Sequence, residues 1–97
     1  MTILRQPKFG DVTVSVRYFA GAQAAAGIAE EKLTLASPTA TPATVRTLVA
    51  ELVARHGAIL ARVLAASSFI VDEVASGPEQ PLPDGAKIDI LPPFAGG

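Results

Sequence analysis

The residues of this 97-residue chain best placed to do chemistry are the last seven, Leu91-Pro92-Pro93-Phe94-Ala95-Gly96-Gly97. Two prolines lack amide donors and fix φ, so this stretch favours an extended, projecting conformation. The two terminal glycines have no side chains, so such a tail can enter a narrow channel in a partner, backbone close to backbone. At about 3.3 Å per residue, a six-residue tail reaches on the order of 20 Å from its domain. That suits chemistry done in another protein's active site. Two glycines alone would favour a frayed end; Pro92-Pro93 favours the functional reading.

No other group competes well for a chemical role. The chain has no cysteine, which removes disulfides, thiolate metal sites and a cysteine nucleophile together. Its single histidine, His56, stands beside Gly57 at a helix end and reads as a solvated cap residue without metal-ligand partners. Asp72-Glu73 are adjacent acids at an expected turn and read as solvated. Gly21, Gly27 and the alanines between them lack the strand-to-helix context of a phosphate-binding loop. A net charge of −1 without blocks of like charge argues against nucleic acid as a partner. No apolar run approaches the roughly 20 residues that cross a bilayer, and Met1 to Gly10 lacks the apolar core of a secretory signal. The expected setting is the cytoplasm, with no membrane partner.

The elements that must position the tail are legible from periodicity. Residues 1–10 read as a flexible extension, broken by Pro7 and Gly10. Val12, Val14, Val16 and Tyr18 then alternate with Thr13, Ser15, Arg17 and Phe19, the pattern of a strand with one buried face. Ala20 to Ala29 is a small-residue loop or a single helical turn, kept short by Gly21 and Gly27. A second strand follows from Glu30 to Leu35, with Leu33 and Leu35 alternating against Lys32, Thr34 and Ala36. Thr41-Pro42 reads as a helix start, with Thr41 as the cap. Val45, Leu48, Val49, Leu52 and Val53 recur at helical spacing as far as Arg55, and Gly57 terminates the helix. Ile59, Leu60, Val63 and Leu64 mark a second, shorter helix. Phe69 to Val71 is a strand, Asp72-Glu73 its turn and Val74 its return. Asp84-Gly85 turns the chain into a last strand, Ala86 to Leu91.

One main helix between early and late strands supplies a crossover that lets the first and last strands lie parallel. The expected fold is α+β, a β-grasp roll: a mixed sheet with one main helix on one face and a protruding C-terminal tail. Residues 11–91 would be the domain and 92–97 the tail.

With the tail, three segments resemble the MoaD/ThiS family of ubiquitin-like sulfur carriers, nearest to its molybdopterin synthase small-subunit branch. Val14 to Phe19 followed by Ala20 is similar to the family's first strand, and Thr44 to Gly57 to its helix. Pro81-Leu82-Pro83-Asp84-Gly85 is similar to its approach to the last strand. The resemblance covers about 11–97. It implies a carrier subunit, not itself catalytic, of a sulfurtransferase complex. An E1-like (MoeB-like) enzyme would adenylate Gly97 with ATP, with Gly96 beside it, and a sulfurtransferase would supply sulfur. The Gly97 thiocarboxylate would then serve a MoaE-like large subunit of molybdopterin synthase, with no cofactor bound by the carrier. Adenylation has a plain reason: an α-carboxyl group, with a pKa of about 3.3–3.7, is ionised at neutral pH and is a poor electrophile. Carriers for thiamin or cysteine synthesis, a modifier joined to lysine through Gly97, and a plain interaction module remain open.

Family members dock through the open sheet face. In the first strand the outward positions include Arg17 and Phe19, and in the last they are Lys87, Asp89 and Leu91. If Phe69 and Val71 point inward, Ile70 points outward. Phe19, Ile70 and Leu91 would then form an apolar docking patch rimmed by Arg17, Lys87 and Asp89, with Pro92, Pro93, Phe94 and Ala95 entering the partner.

Overall fold

The computed structural model describes residues 10–93; the readings placed on 1–9 and on 94–97 lie outside them. The chain runs β1 (Asp11–Tyr18), α1 (Ala20–Ala26), β2 (Glu30–Ala36), α2 (Val45–His56), α3 (Ala58–Ala66), β3 (Ser68–Val71), β4 (Val74–Ser76) and β5 (Lys87–Leu91). The strands form one sheet in the order β2-β1-β5-β3-β4. β1 and β5 are parallel at its centre, and the other three pairings are antiparallel. First and last strands therefore lie side by side, as the crossover reading requires.

Period-2 alternation sends one face of every long strand inward. Val14, Val16 and Tyr18 of β1, Leu33 and Leu35 of β2, Val71 of β3, and Ile88 and Ile90 of β5 are buried. They meet Val45, Leu48 and Leu52 of α2 and Leu60 and Leu64 of α3 in one core. The helices lie on this face, with α3 packed between α1 and α2. The opposite face carries Thr13, Arg17, Lys32, Thr34, Lys87 and Leu91, all exposed.

One local reading is corrected and one open alternative is decided. The main helix starts at Val45 and not at Pro42: Thr44, three residues after Thr41, is its cap. The Thr47 amide donates to Thr44 Oγ1 at 3.4 Å, and the Thr44 amide donates to Thr47 Oγ1 at 3.1 Å. This reciprocal box satisfies two donors, whereas Thr41 lies in the preceding turn. The delay has a tertiary cause. Ala43 is buried and accepts from the Leu82 amide at 2.9 Å, so the chain must stay extended until Thr44. The alanine segment forms the seven-residue α1 and not a loop, ended by Gly27 at φ +81°, the left-handed conformation that glycine adopts without strain. Gly57, at φ +92°, ends α2 where expected and opens α3.

Asp72 and Glu73 make the two-residue turn between β3 and β4, both with positive φ, as the sharp reversal of a tight hairpin requires. The Asp72 carboxylate accepts the Lys87 amide at 2.9 Å, and the Asp72 amide donates to the Lys87 carbonyl at 2.8 Å. These bonds pin the start of β5 and give Asp72 a structural task.

Thr44→Ala should lower stability by about 1 kcal/mol, the usual value of an N-cap side chain. Leu48→Ala, which empties a fully buried site, should cost about 2–5 kcal/mol. Urea denaturation checks both: an equal loss in the two variants would contradict the dominance of packing over capping.

Candidate functional site

The sheet register arranges the open face in rows. Ser15 lies between Lys32 and Lys87. The next row runs Glu30, Arg17, Asp89, Ile70, Ala75 across all five strands. Beyond it, Leu91 pairs with Ser68, and the Phe19 amide donates to the Ile90 carbonyl at 3.2 Å just past the ladder. Phe19 and Leu91 thus stand at the same end of the sheet, where the chain leaves through Pro92-Pro93. Leu91 is exposed, Phe19, Ile70 and Pro92 are half-buried, and Pro93 is exposed. Ile70 is a diagonal neighbour of Leu91 across an antiparallel pair, within reach of a long side chain.

The charges are not arranged as a simple rim. Arg17 Nε donates to Asp89 Oδ1 at 3.0 Å and its Nη2 to Oδ2 at 3.2 Å, a two-point pair inside the patch. The guanidinium carbon also lies 5.2 Å from the centre of the Phe19 ring, over its face. The hydrogen bond to Asp89, then its charge, holds the Arg17 pKa above its ordinary value. An exposed pair of this kind contributes little to folding; it sets the charge of Arg17 against that of Asp89 beside the Phe19 ring. Lys87 stands one row further from the tail. A shallow open depression beside it is lined by Ser15, Arg17, Glu30, Asp72, Glu73, Lys87 and Asp89. Among the described residues, no three His, Asp or Glu side chains are grouped so as to hold a metal ion. The positions read as the reactive end and its approach, Phe94, Ala95, Gly96 and Gly97, lie outside the described residues.

One polar cluster corrects the reading of His56. His56 is half-buried, not solvated, and its Nε2 lies 2.6 Å from Glu31 Oε2. The Tyr18 hydroxyl donates to the same oxygen at 2.5 Å, and the His56 and Tyr18 rings meet edge to face at 6.0 Å. Arg55 Nη1 is 3.8 Å from Glu31 Oε1. Burial raises the Glu31 pKa, but the hydrogen bonds from Tyr18 and His56, with the charges of His56 and Arg55, outweigh it and hold the carboxyl below its usual range. Burial, and then the bond to Glu31, pushes the Tyr18 phenol well up, so it remains a donor. The sequence carried the signal: Glu31 is in phase with Leu33 and Leu35, so alternation aims an acid at the core, where it needs partners.

The ThiS family model matches residues 16–97, from within β1 to the last residue. The chain belongs to the ThiS family. Among solved structures, a Pyrococcus furiosus protein assigned as molybdopterin converting factor, subunit 1, is 26% identical to this ThiS-family chain. The match covers 86% of this chain and 99% of that one at a TM-score of 0.68. SAMP1 from Haloferax volcanii matches at 21% identity and TM-score 0.74, covering 88% and 99%. Urm1 from Trypanosoma brucei matches at 17% and 0.68, covering 93% and 100%. The last two likenesses are of fold, the ubiquitin-like β-grasp, in which this ThiS-family sheet leaves one face open. Comparison with curated proteins gave no match. No helix among the described residues is long and apolar enough to cross a membrane.

The lowered Glu31 pKa has a defined consequence. Below about pH 4.3, the ordinary glutamate value, the unfolded chain takes up a proton at Glu31 before the folded chain does. Stability is therefore present above that pH and lost as pH falls through the lower folded value. Urea midpoints between pH 7 and 3 should fall less steeply in Glu31→Gln than in the parent; parallel curves would contradict the assignment.

Proposed function

We propose that this ThiS-family chain is a sulfur carrier, the small subunit of a molybdopterin synthase, and that the group it carries is a thiocarboxylate at Gly97. The carboxylate attacks the α-phosphorus of ATP in an E1-like, MoeB-like enzyme and releases pyrophosphate. A persulfide carried by a sulfurtransferase displaces AMP from the acyl adenylate to give an acyl disulfide. A second thiolate then cleaves its S–S bond, forming a disulfide with the sulfurtransferase sulfur and leaving the thiocarboxylate. In a MoaE-like large subunit the thiocarboxylate sulfur adds to the pterin precursor and becomes part of the dithiolene. Hydrolysis then returns the Gly97 carboxylate.

The observation that carries this reading is the parallel register of β1 with β5. It brings Phe19 and Leu91 together at the end of the sheet and releases Pro92-Pro93 there. A carrier needs this combination, a docking patch beside the root of an extension, more than it needs acids or bases of its own. The family match, which runs to Gly97, supports a sulfur carrier, and the likeness to the Pyrococcus protein supports the molybdopterin branch. Phe19, Ile70 and Leu91 are proposed as the docking patch, Arg17 and Lys87 as its charged neighbours, and 92–97 as the segment entering the partner.

Intact-mass spectrometry of protein from sulfur-replete cells should reveal a species heavier by the exchange of one oxygen for sulfur, mapping to Gly97. A lysine conjugate would identify a protein modifier instead, the role after which SAMP1, small archaeal modifier protein 1, is named. Incubation of the sulfur-loaded protein with a large subunit and precursor Z should yield dithiolene, which separates this branch from thiamin and cysteine carriers.

Phe19→Arg and Leu91→Arg, checked for folding by circular dichroism, should each weaken binding to the large subunit by about 2 kcal/mol or more, the scale of an interface anchor. Parent-like affinity in both would sink the patch.

A further inference from the structure

We infer that Glu31 is a positioning residue for the corner bearing Phe19 and the root of the tail, acting through Tyr18 and His56; this rests on the docking reading above. Three elements converge on one carboxylate oxygen. Tyr18 ends β1, Glu31 lies in β2, and His56 is the last residue of α2. A carboxylate oxygen only accepts, so at 2.5 Å the Tyr18 hydroxyl donates to it, and at 2.6 Å so does His56 Nε2–H. Hydrogen bonds to an ionised acceptor are shorter and stronger than neutral ones, which suits this pair for holding the three elements in one arrangement. On the outer side, Arg55 faces Glu31 and is itself held by Glu51 at 3.0 Å.

The held corner needs an anchor. Phe19 is extended, and Ala20 immediately after it adopts φ +49°, a left-handed conformation that costs a residue with a β-carbon energy. Such a conformation persists where its surroundings over-determine it. On the far side of Ala20 the restraint is α1, whose Ala22 amide donates to the Phe19 carbonyl at 2.9 Å. On the near side it is Tyr18, fixed by the Glu31 bond and by its own amide, which donates to the Ala29 carbonyl at 2.8 Å. Tyr18 also pairs with Ile90, the residue before Leu91. The carboxylate of Glu31 therefore sets the direction in which Phe19 leaves the sheet beside Leu91.

Residue-resolved amide exchange on the free protein separates positioning from general stability. Glu31→Ala should speed exchange at Phe19 and Ala22 by about tenfold more than at Ser15, the scale of one lost bond to a charged group. The Ser15 amide, bonded to the Ala86 carbonyl at 2.9 Å, reports on the middle of β1. Glu31→Gln, which keeps an accepting oxygen but not the charge, should accelerate exchange at Phe19 and Ala22 clearly less than Glu31→Ala does. Equal acceleration at Ser15 and Phe19, or none at Phe19, overturns the proposal. Should Glu31→Ala not fold, Tyr18→Phe deletes only the hydroxyl and gives the same comparison. Binding to the large subunit, measured in parallel, should weaken in Glu31→Ala and recover in Glu31→Gln; failure to recover also overturns it. Phe19→Arg and Leu91→Arg report on the docking reading alone, so parent-like affinity in both would remove that reading while the exchange pattern still decides the role of Glu31.

Discussion

The parallel pairing of β1 with β5 is the constraint on which the rest of the structure depends. Parallel neighbours cannot be joined by a tight turn, so the chain between them must cross the sheet. The three helical segments of that crossover, α1, α2 and α3, fall on one face, and their apolar residues build the core there. The price is an unusual sheet centre. Parallel pairs are commonly covered on both faces, yet here Ser15, Arg17, Lys87 and Asp89 present one face of the pair to the surface. Their polarity answers the exposure. It ends only in the last row, where Phe19 and Leu91 are apolar, and that is the row beside the departing chain.

A second constraint acts on the covered side. The core is apolar, with no fully buried polar or charged residue among those described. Glu31 is the nearest approach to an exception, an acid on the inward face of β2 at the margin of the core. A buried carboxylate without partners would destabilise the fold; one accepting from Tyr18 and His56 is satisfied, and it ties helix to sheet. Removing one member would leave the others unpaired, so the three act as a unit. The unit lies under the end of β1, the same end at which Phe19 and Leu91 meet.

Most of the fold was legible because two periods dominate the sequence. Strict alternation in β1 and β5 identified strands and their inward faces, and the same phase placed Arg17, Asp89, Leu91 and Ile70 on the open side. The readings that failed depended on partners distant in sequence. Thr41-Pro42 has the local chemistry of a helix start, but the Ala43–Leu82 hydrogen bond postpones the helix to Thr44. His56 reads locally as a solvated cap; what buries it is Glu31, twenty-five residues earlier. The alanine segment was ambiguous for a different reason. Its helix propensity is strong but seven residues cannot sustain a helix alone, so packing against α3 decides its state.

On the carrier reading, the size of the patch has a functional sense. A carrier must engage an activating enzyme, a sulfur source and an acceptor in turn, and an interface that large assemblies use to stay together would prevent release. Permanent interfaces bury on the order of 2,000 Å² or more; three apolar side chains around one ion pair cannot supply that. The patch and the tail are instead two modest contacts joined by a short segment. Once the patch is seated, entry of the tail becomes an intramolecular event at high effective concentration, and each contact strengthens the other without a large shared surface. The stiffness of Pro92-Pro93 matters in this scheme because it limits the directions available to the tail, which raises that concentration only if its root points correctly. The orientation of the Phe19–Leu91 corner and the chemistry at the end of the chain are therefore coupled through geometry, although no side chain of the corner need touch the reacting group.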